Sequence, residues 1–274
     1  MKAEARVVAE SDGRGGTRLT VLRGQSPLLL RRTGPRVSGG VTVHLVGGAA
    51  GPLRGDELRL EIEVGPGAWL ELLSVAAQLA LPGRPAPASR LTVTATVAAG
   101  GTLRWLPEPL IAAAGCDHVA VTRVSVADGG SLLWRDDVVC GRHGEDSGDF
   151  VADTLIRYGG STLYRHELAV GPRAAGWSGP AVLGGAGAVG TVVTAGPEPV
   201  VTGVAGAGSV VTGETGAGSV VTGVAGADAA VMPLAGPGVL ATAAGPDIRD
   251  VRAVLDPFCA AHPTARRPGA RVAV

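Results

Sequence analysis

The feature that most constrains this chain is a recurring unit: alternating apolar residues, a glycine turn, then a second short apolar run. From Asp56, Leu58, Leu60, Ile62 and Val64 alternate with Arg59, Glu61 and Glu63, the pattern of a half-buried strand. Gly65-Pro66-Gly67 turns the chain and Trp69 to Leu72 returns it. The same device recurs three times. Leu91, Val93, Ala95 and Val97 alternate with threonines before Gly100-Gly101 and Leu103-Arg104-Trp105. Val119 to Val126 leads to Asp128-Gly129-Gly130 and Leu132-Leu133-Trp134. Thr154 to Tyr158 leads to Gly159-Gly160 and Leu163-Tyr164. A period of roughly thirty residues without helical spacing predicts a mainly β fold of many short strands, stacked as a β-helix-like or sandwich-like scaffold. A plain antiparallel meander would space its turns similarly.

Composition narrows the chemistry. Lys+Arg 24 balances Asp+Glu 24, so no global field favours nucleic acid or an anionic membrane. The sole lysine is Lys2 and asparagine is absent, which excludes a phosphate-binding loop with an internal lysine and a Cys-His-Asn catalytic set. Glu4 and Arg6 stand where a signal peptide needs an apolar run, and no stretch reaches the length of a membrane span. Three cysteines, Cys116, Cys140 and Cys259, do not make a secreted disulfide framework. These features point to the cytoplasm.

Residues 200 to 227 differ in kind: VVTGVAGAGS, VVTGETGAGS and VVTGVAGA form a near-perfect decapeptide repeat with one charge, Glu214, and no aromatic. Such a segment fills no core beyond its valines and reads as a low-complexity loop insertion. Downstream, Asp247 precedes Ile248, Val251, Val254, Leu255 and Phe258 at helical spacing, with Pro257 expected to end or distort the helix. The expected organisation is therefore a β scaffold over 1–197, a repeat insertion over 198–229, the remainder of the same domain with one C-terminal helix over 230–260, and a disordered tail over 261–274.

Isolated motifs are weak. Gly185-Ala186-Gly187-Ala188-Val189-Gly190 matches a dinucleotide fingerprint, but the following Thr191-Val192-Val193-Thr194 is a strand pattern where a helix N-terminus is required. Asp146-Ser147-Gly148 resembles a hydrolase loop without a surrounding signature; a β-rich hydrolase using Ser147 or Cys140 is the alternative reading. Cys116, His118, Cys140 and His143 could supply soft or borderline metal ligands, although buried cysteine is the commoner role. A secreted β-roll adhesin, suggested by the repeat, would need an export signal.

Four blocks in order resemble the UreD (UreH) family of urease accessory proteins. They are GGAAGPLRGDELRLEIEVGPGAWLEL (47–72), Leu73 to Ala77, Gly101 to Ile111 with its Trp105-Leu106-Pro107 run, and Leu132 to Asp136 followed by Gly141-Arg142 and Gly144-Glu145. Gln78 to Pro82 departs from the Thr-Lys sequence common there. The resemblance implies a non-enzymatic scaffold and chaperone in nickel insertion and urease maturation. Its implied partners are UreF, the GTPase UreG and urease apoprotein, with no tightly bound cofactor and nickel only in transit. It implies Asp56, Gln78, Asp136 and Glu145 as candidates for the nickel path. Asp56 and Asp136 are both expected at strand boundaries.

Overall fold

A computed structural model describes residues 1–34, 39–197, 219–224 and 227–262. The expected tail from 263 onward and most of the repeat lie outside these residues. The chain begins with a hairpin, β1 (Lys2–Ser11) and β2 (Thr17–Gly24), followed by β3 (Leu28–Thr33) and β4 (Val41–Gly47). It then winds through β5 (Glu57–Val64), β6 (Trp69–Ser74) and β7 (Gln78–Ala80). A second turn repeats this with β8 (Ser89–Val97), β9 (Thr102–Leu106) and β10 (Leu110–Ala112), and a third adds β11 (Asp117–Val126) and β12 (Ser131–Val139). The hairpin β13 (Asp149–Tyr158) and β14 (Ser161–Val170) follows. Then come β15 (Ala188–Ala195), β16 (Ser219–Val224), β17 (Ala227–Pro233), β18 (Gly238–Gly245) and helix α1 (Ile248–Ala261).

Successive turns stack in parallel. One sheet runs β14-β13-β11-β8-β5-β1-β2 and the other β16-β17-β18-β15-β12-β9-β6-β4-β3. The strands β5, β8, β11 and β13 pair in parallel, as do β4, β6, β9 and β12. That settles the stacked form over the meander. Inward side chains align in ladders, for example Val7, Ile62, Ala95, Val124 and Ile156. They meet Leu70, Leu72, Leu103 and Leu132 of the opposite sheet in one core, each buried aliphatic contributing about 1.5–3 kcal/mol.

The glycine corners have two separate causes. Gly67, Gly100 and Gly129 hold φ of 64°, 68° and 77°, a conformation that costs other residues steric strain. The following Gly101 and Gly130 are excluded by contact: a Cβ there would sit 2.9 Å from the Gly65 carbonyl and 2.8 Å from Val126. Each turn of the coil thus needs its glycines for backbone geometry and for rung-to-rung packing.

α1 covers the outer face of the second sheet. Asp247 caps it, accepting from the Arg249 N–H at 2.8 Å. Val251, Val254, Leu255 and Phe258 pack with Leu133, Val192, Ala241 and Ala243. The expectation at Pro257 is corrected: it lies inside the helix, which continues to Ala261. The proline removes one helical hydrogen bond. Burial of Phe258 and Cys259 beyond it, and Arg104 donating to the Cys259 and His262 carbonyls at 3.0 Å each, hold the last turn in place.

Two other readings are revised or upheld. Asp136 is not at a strand boundary, because β12 continues to Val139 and carries both Asp136 and Asp137 through its middle; donors described below reach both oxygens of Asp136 and Oδ2 of Asp137. Ala188 to Ala195 is strand, as the pattern after the glycine motif required. Of the last copy of the decapeptide, the described residues are strand: Ser219–Val224 forms β16, and Ala227 opens β17.

Candidate functional site

One cavity lies inside the coil, and a second adjoins it and opens to the surface. The first, of about 100 Å³, has half-buried Ser74, Gln78 and Glu108 in its lining, and deeper in it Thr122, Thr154 and Asp136. The second, of about 530 Å³, is lined by Asp136, Tyr164, Thr191 and Thr242 and reaches the exposed His166 and Asp228. Asp136, Val138, Ala152 and Thr154 line both.

Ladder register explains why the interior turns polar here. One inward column reads Ala5, Leu60, Val93, Thr122, Thr154 and His166 across the first sheet. Its counterpart reads Asp136, Thr191, Thr242 and Ala230 across the second. The columns are apolar where the coil is closed at β5 and β8, and hydroxyl-lined from β11 to β18.

Among the described residues, Asp136 is the only ionisable group shared by the two cavities. Its Oδ2 accepts the Trp134 indole N–H at 2.8 Å and its Oδ1 that of Trp105 at 3.4 Å. The two indoles stack with centroids 4.9 Å apart and planes 14° from parallel. Burial pushes the carboxyl up to about 6, against the pull of both indole donors. The surface it retains faces the cavities. Nearby, burial and the Asp136 charge raise the Tyr164 phenol, which stays protonated.

The adjacent Asp137 is treated differently. It also borders the first cavity, but its Oδ2 turns toward α1 and accepts from Arg135 at 2.9 Å and from Arg252 at 3.2 Å. Arg135 also reaches Asp256 at 2.5 Å, and Arg252 reaches Glu108 at 2.8 Å. Arg104 pairs with Glu71 at 3.3 Å on the same face. These contacts tie α1 to the sheet and link the helix to Glu108 of the first cavity.

Of the four residues expected on an ion path, the structure brings together Gln78 and Asp136, which line the first cavity. Asp56 sits at the far end of β5, buried against the N-terminal ammonium at 2.5 Å and accepting the Leu53 N–H at 2.9 Å. Glu145 is bound by the guanidinium of Arg142, which holds its carboxyl below the ordinary range. Neither lines either cavity.

The cysteine–histidine set is not a metal cluster: no group of three or more such ligands capable of holding a metal occurs among the described residues. Burial pushes the Cys116 and Cys140 thiols up to about 11, away from the thiolate that metals bind. His118 is buried with its Nδ1 2.9 Å from the Ser89 hydroxyl, and His143 is exposed. Ser147 is buried and donates to the Gly148 carbonyl at 2.9 Å, which gives the hydrolase alternative no support. No helix among the described residues is long and apolar enough to cross a membrane.

Sequence reasoning missed Glu108, Thr122, Thr154, His166, Thr191, Asp228 and Thr242. Only the ladder register brings them to one interior, and a single sequence does not display register between strands thirty residues apart.

Comparison with known proteins identifies the family. Residues 1–272 match the family described as UreD urease accessory protein. The chain is 48% identical over 200 residues to a urease accessory protein UreD of Streptomyces avermitilis, covering 72% of this chain and 79% of that protein. It is 42% identical over 263 residues to urease accessory protein UreD 3 of Streptomyces griseus, covering 93% and 95%. Against the UreD of Streptomyces coelicolor it is 42% identical over 262 residues, covering 93% and 94%. The chain belongs to the UreD family of urease accessory proteins.

Proposed function

We propose that this protein acts in urease maturation as a scaffold through which nickel ions travel toward urease apoprotein, in a complex with UreF and UreG. The observation that carries this reading is the pair of adjoining cavities that share Asp136 and Thr154. A path for a divalent ion needs negative charge to draw it in and weak, separated oxygen sites to release it. Separated groups of that kind stand along an otherwise mainly aliphatic lining. Glu108 and Gln78 stand at one end, Asp136 at the junction, threonine hydroxyls beyond it, and Asp228 with His166 at the other end.

The test compares substitutions at Asp136. Asp136→Trp would fill the junction and Asp136→Ala would remove charge while leaving it open. Urease activity and bound nickel are measured after co-expression with urease subunits, UreF and UreG, alongside co-purification of the complex. The reading expects the Trp variant to assemble and fail to load nickel, with Ala milder. Normal nickel loading in the Trp variant overturns it, as does loss of assembly in parallel with loss of loading.

A further inference from the structure

Two neighbouring aspartates on β12 receive opposite treatment, and the contrast carries an inference that rests on the ion-path reading. Asp137 is held by two guanidiniums, Arg135 and Arg252, so its charge is spent within the protein. Asp136 is held by two neutral donors, one indole N–H on each oxygen. From this geometry we infer that Trp105 and Trp134 are positioning residues that fix the Asp136 carboxylate across the junction of the two cavities, leaving its charge available to a passing divalent cation.

The arrangement has a clear physical logic. A carboxylate offers about four lone-pair sites. The indoles occupy one site on each oxygen and leave one on each for an ion or its water. An arginine in the same place would bring a compensating positive charge and repel a cation. A hydroxyl donor would satisfy an oxygen but rotates freely. The indole N–H is rigid and donates only. Stacking of the two rings at 4.9 Å locks them against each other. They come from consecutive turns of the coil, since Trp105 pairs with Trp134 in the β9–β12 register, so the rung spacing itself sets the separation of the two donors.

The other polar groups around the carboxylate do not take this role. Thr191 donates to the main-chain carbonyl of Asp136 rather than to its side chain. Thr122, Thr154 and Tyr164 line the cavities without a hydrogen bond to either Asp136 oxygen. Both side-chain hydrogen bonds of Asp136 therefore come from tryptophan.

The experiment uses the complex reconstituted from this protein, UreF, UreG and urease apoprotein, with nickel chloride as the probe. The initial rate of urease activation is measured against nickel concentration for Trp134→Phe and Trp105→Phe. A third variant carries β-(3-benzothienyl)alanine at position 134, an isostere that keeps the ring shape and lacks the N–H. A purely structural role predicts that the isostere behaves as wild type, because packing is unchanged. The positioning role predicts a rise of roughly tenfold in the nickel concentration for half-maximal activation, the size expected for one hydrogen bond to a charged group. The maximal rate and the yield of complex should be unchanged, and Trp105→Phe should give a smaller rise in keeping with its longer bond. Wild-type nickel dependence in the isostere overturns the inference. Asp136→Asn is run in parallel: if it blocks activation while the isostere does not, the positioning role alone fails, and if it too activates normally, the ion path itself fails.

Discussion

Arg135 and Asp137 lie two residues apart on the outer face of β12 and bind each other at 2.9 Å, the aspartate side chain with no exposed surface. Such a pair is stable only while each charge keeps its partners, because desolvation of an unmatched ion costs more than the pair contributes. Asp137→Ala would leave Arg135 and Arg252 facing each other beneath α1. We expect a loss of about 3 kcal/mol or more in urea denaturation. A loss below about 1 kcal/mol would mean the cluster behaves like a surface ion pair.

Gly190, the last glycine of the motif that mimics a nucleotide fingerprint, has a packing role instead. A Cβ at this position would lie 2.6 Å from Asp137 Oδ1, 2.7 Å from Leu255 Cδ1 and 2.8 Å from Val251 Cγ1. Gly190→Ala should therefore push α1 from the sheet and destabilise the protein by about 1–3 kcal/mol. An unchanged thermal midpoint would show that the helix can shift without loss.

Two buried histidines set the acid limit of the fold. Burial lowers His118 to about 4, and burial together with Arg104 lowers His262 to about 3. Below pH 6.5 the unfolded chain takes up protons that the folded chain refuses, so stability is full above pH 6.5 and falls as pH drops toward 4 and 3. Each histidine contributes a slope of about 1.4 kcal/mol per pH unit in this window. His118 Nε2 has no hydrogen-bond partner, and the Ser89 hydroxyl also reaches the Asp117 carbonyl at 3.1 Å, so an apolar ring can replace the imidazole. In His118→Phe the stability curve between pH 6.5 and 4 should flatten by one histidine's slope. Curves parallel to wild type would refute the assignment.

The repeat segment separates into two parts that deletions can distinguish. Ala227 and Ala229 are buried in the cluster under α1. Removing residues 200–217 should leave the thermal midpoint unchanged, since the cost of closing a loop varies only logarithmically with its length. Extending the deletion through Ala229 should lower the midpoint. Equal midpoints for the two deletions would show that the β17 contacts contribute nothing.

The sequence displayed the coil where local and global signals agree. In β5, Leu58, Leu60, Ile62 and Val64 are buried, while Arg59 and Glu61 are exposed and Glu63 half-exposed, so alternation alone sufficed. It was less informative at β1, whose inward residues Ala3, Ala5, Val7 and Ala9 are mostly too small to stand out. Threonine carries no such signal. In β8, Thr92, Thr94 and Thr96 lie on the outward side, whereas Thr122 and Thr154 occupy inward ladder positions. Nothing within a single strand distinguishes these cases. Asp136 was expected at a strand boundary after Trp134; within β12 it and Asp137 are instead held by donors from β9, β12 and α1. Gln78 and Asp56 were placed on the path by resemblance; the structure sets Gln78 in the first cavity and pairs Asp56 with the N-terminal ammonium.

Because α1 follows every strand in chain order, the outer face it covers stands open during synthesis. Arg135 leaves the ribosome 121 residues ahead of Asp256, and Arg104 leaves it 155 residues ahead of Cys259. At translation speeds of about 5–20 residues per second, that interval lasts roughly ten seconds. During it the nascent sheet displays Leu133, joined later by Val192, and three charged side chains whose helix partners do not yet exist. Any chaperone that engages this face has a fixed window, opened by the third rung and shut when the helix emerges.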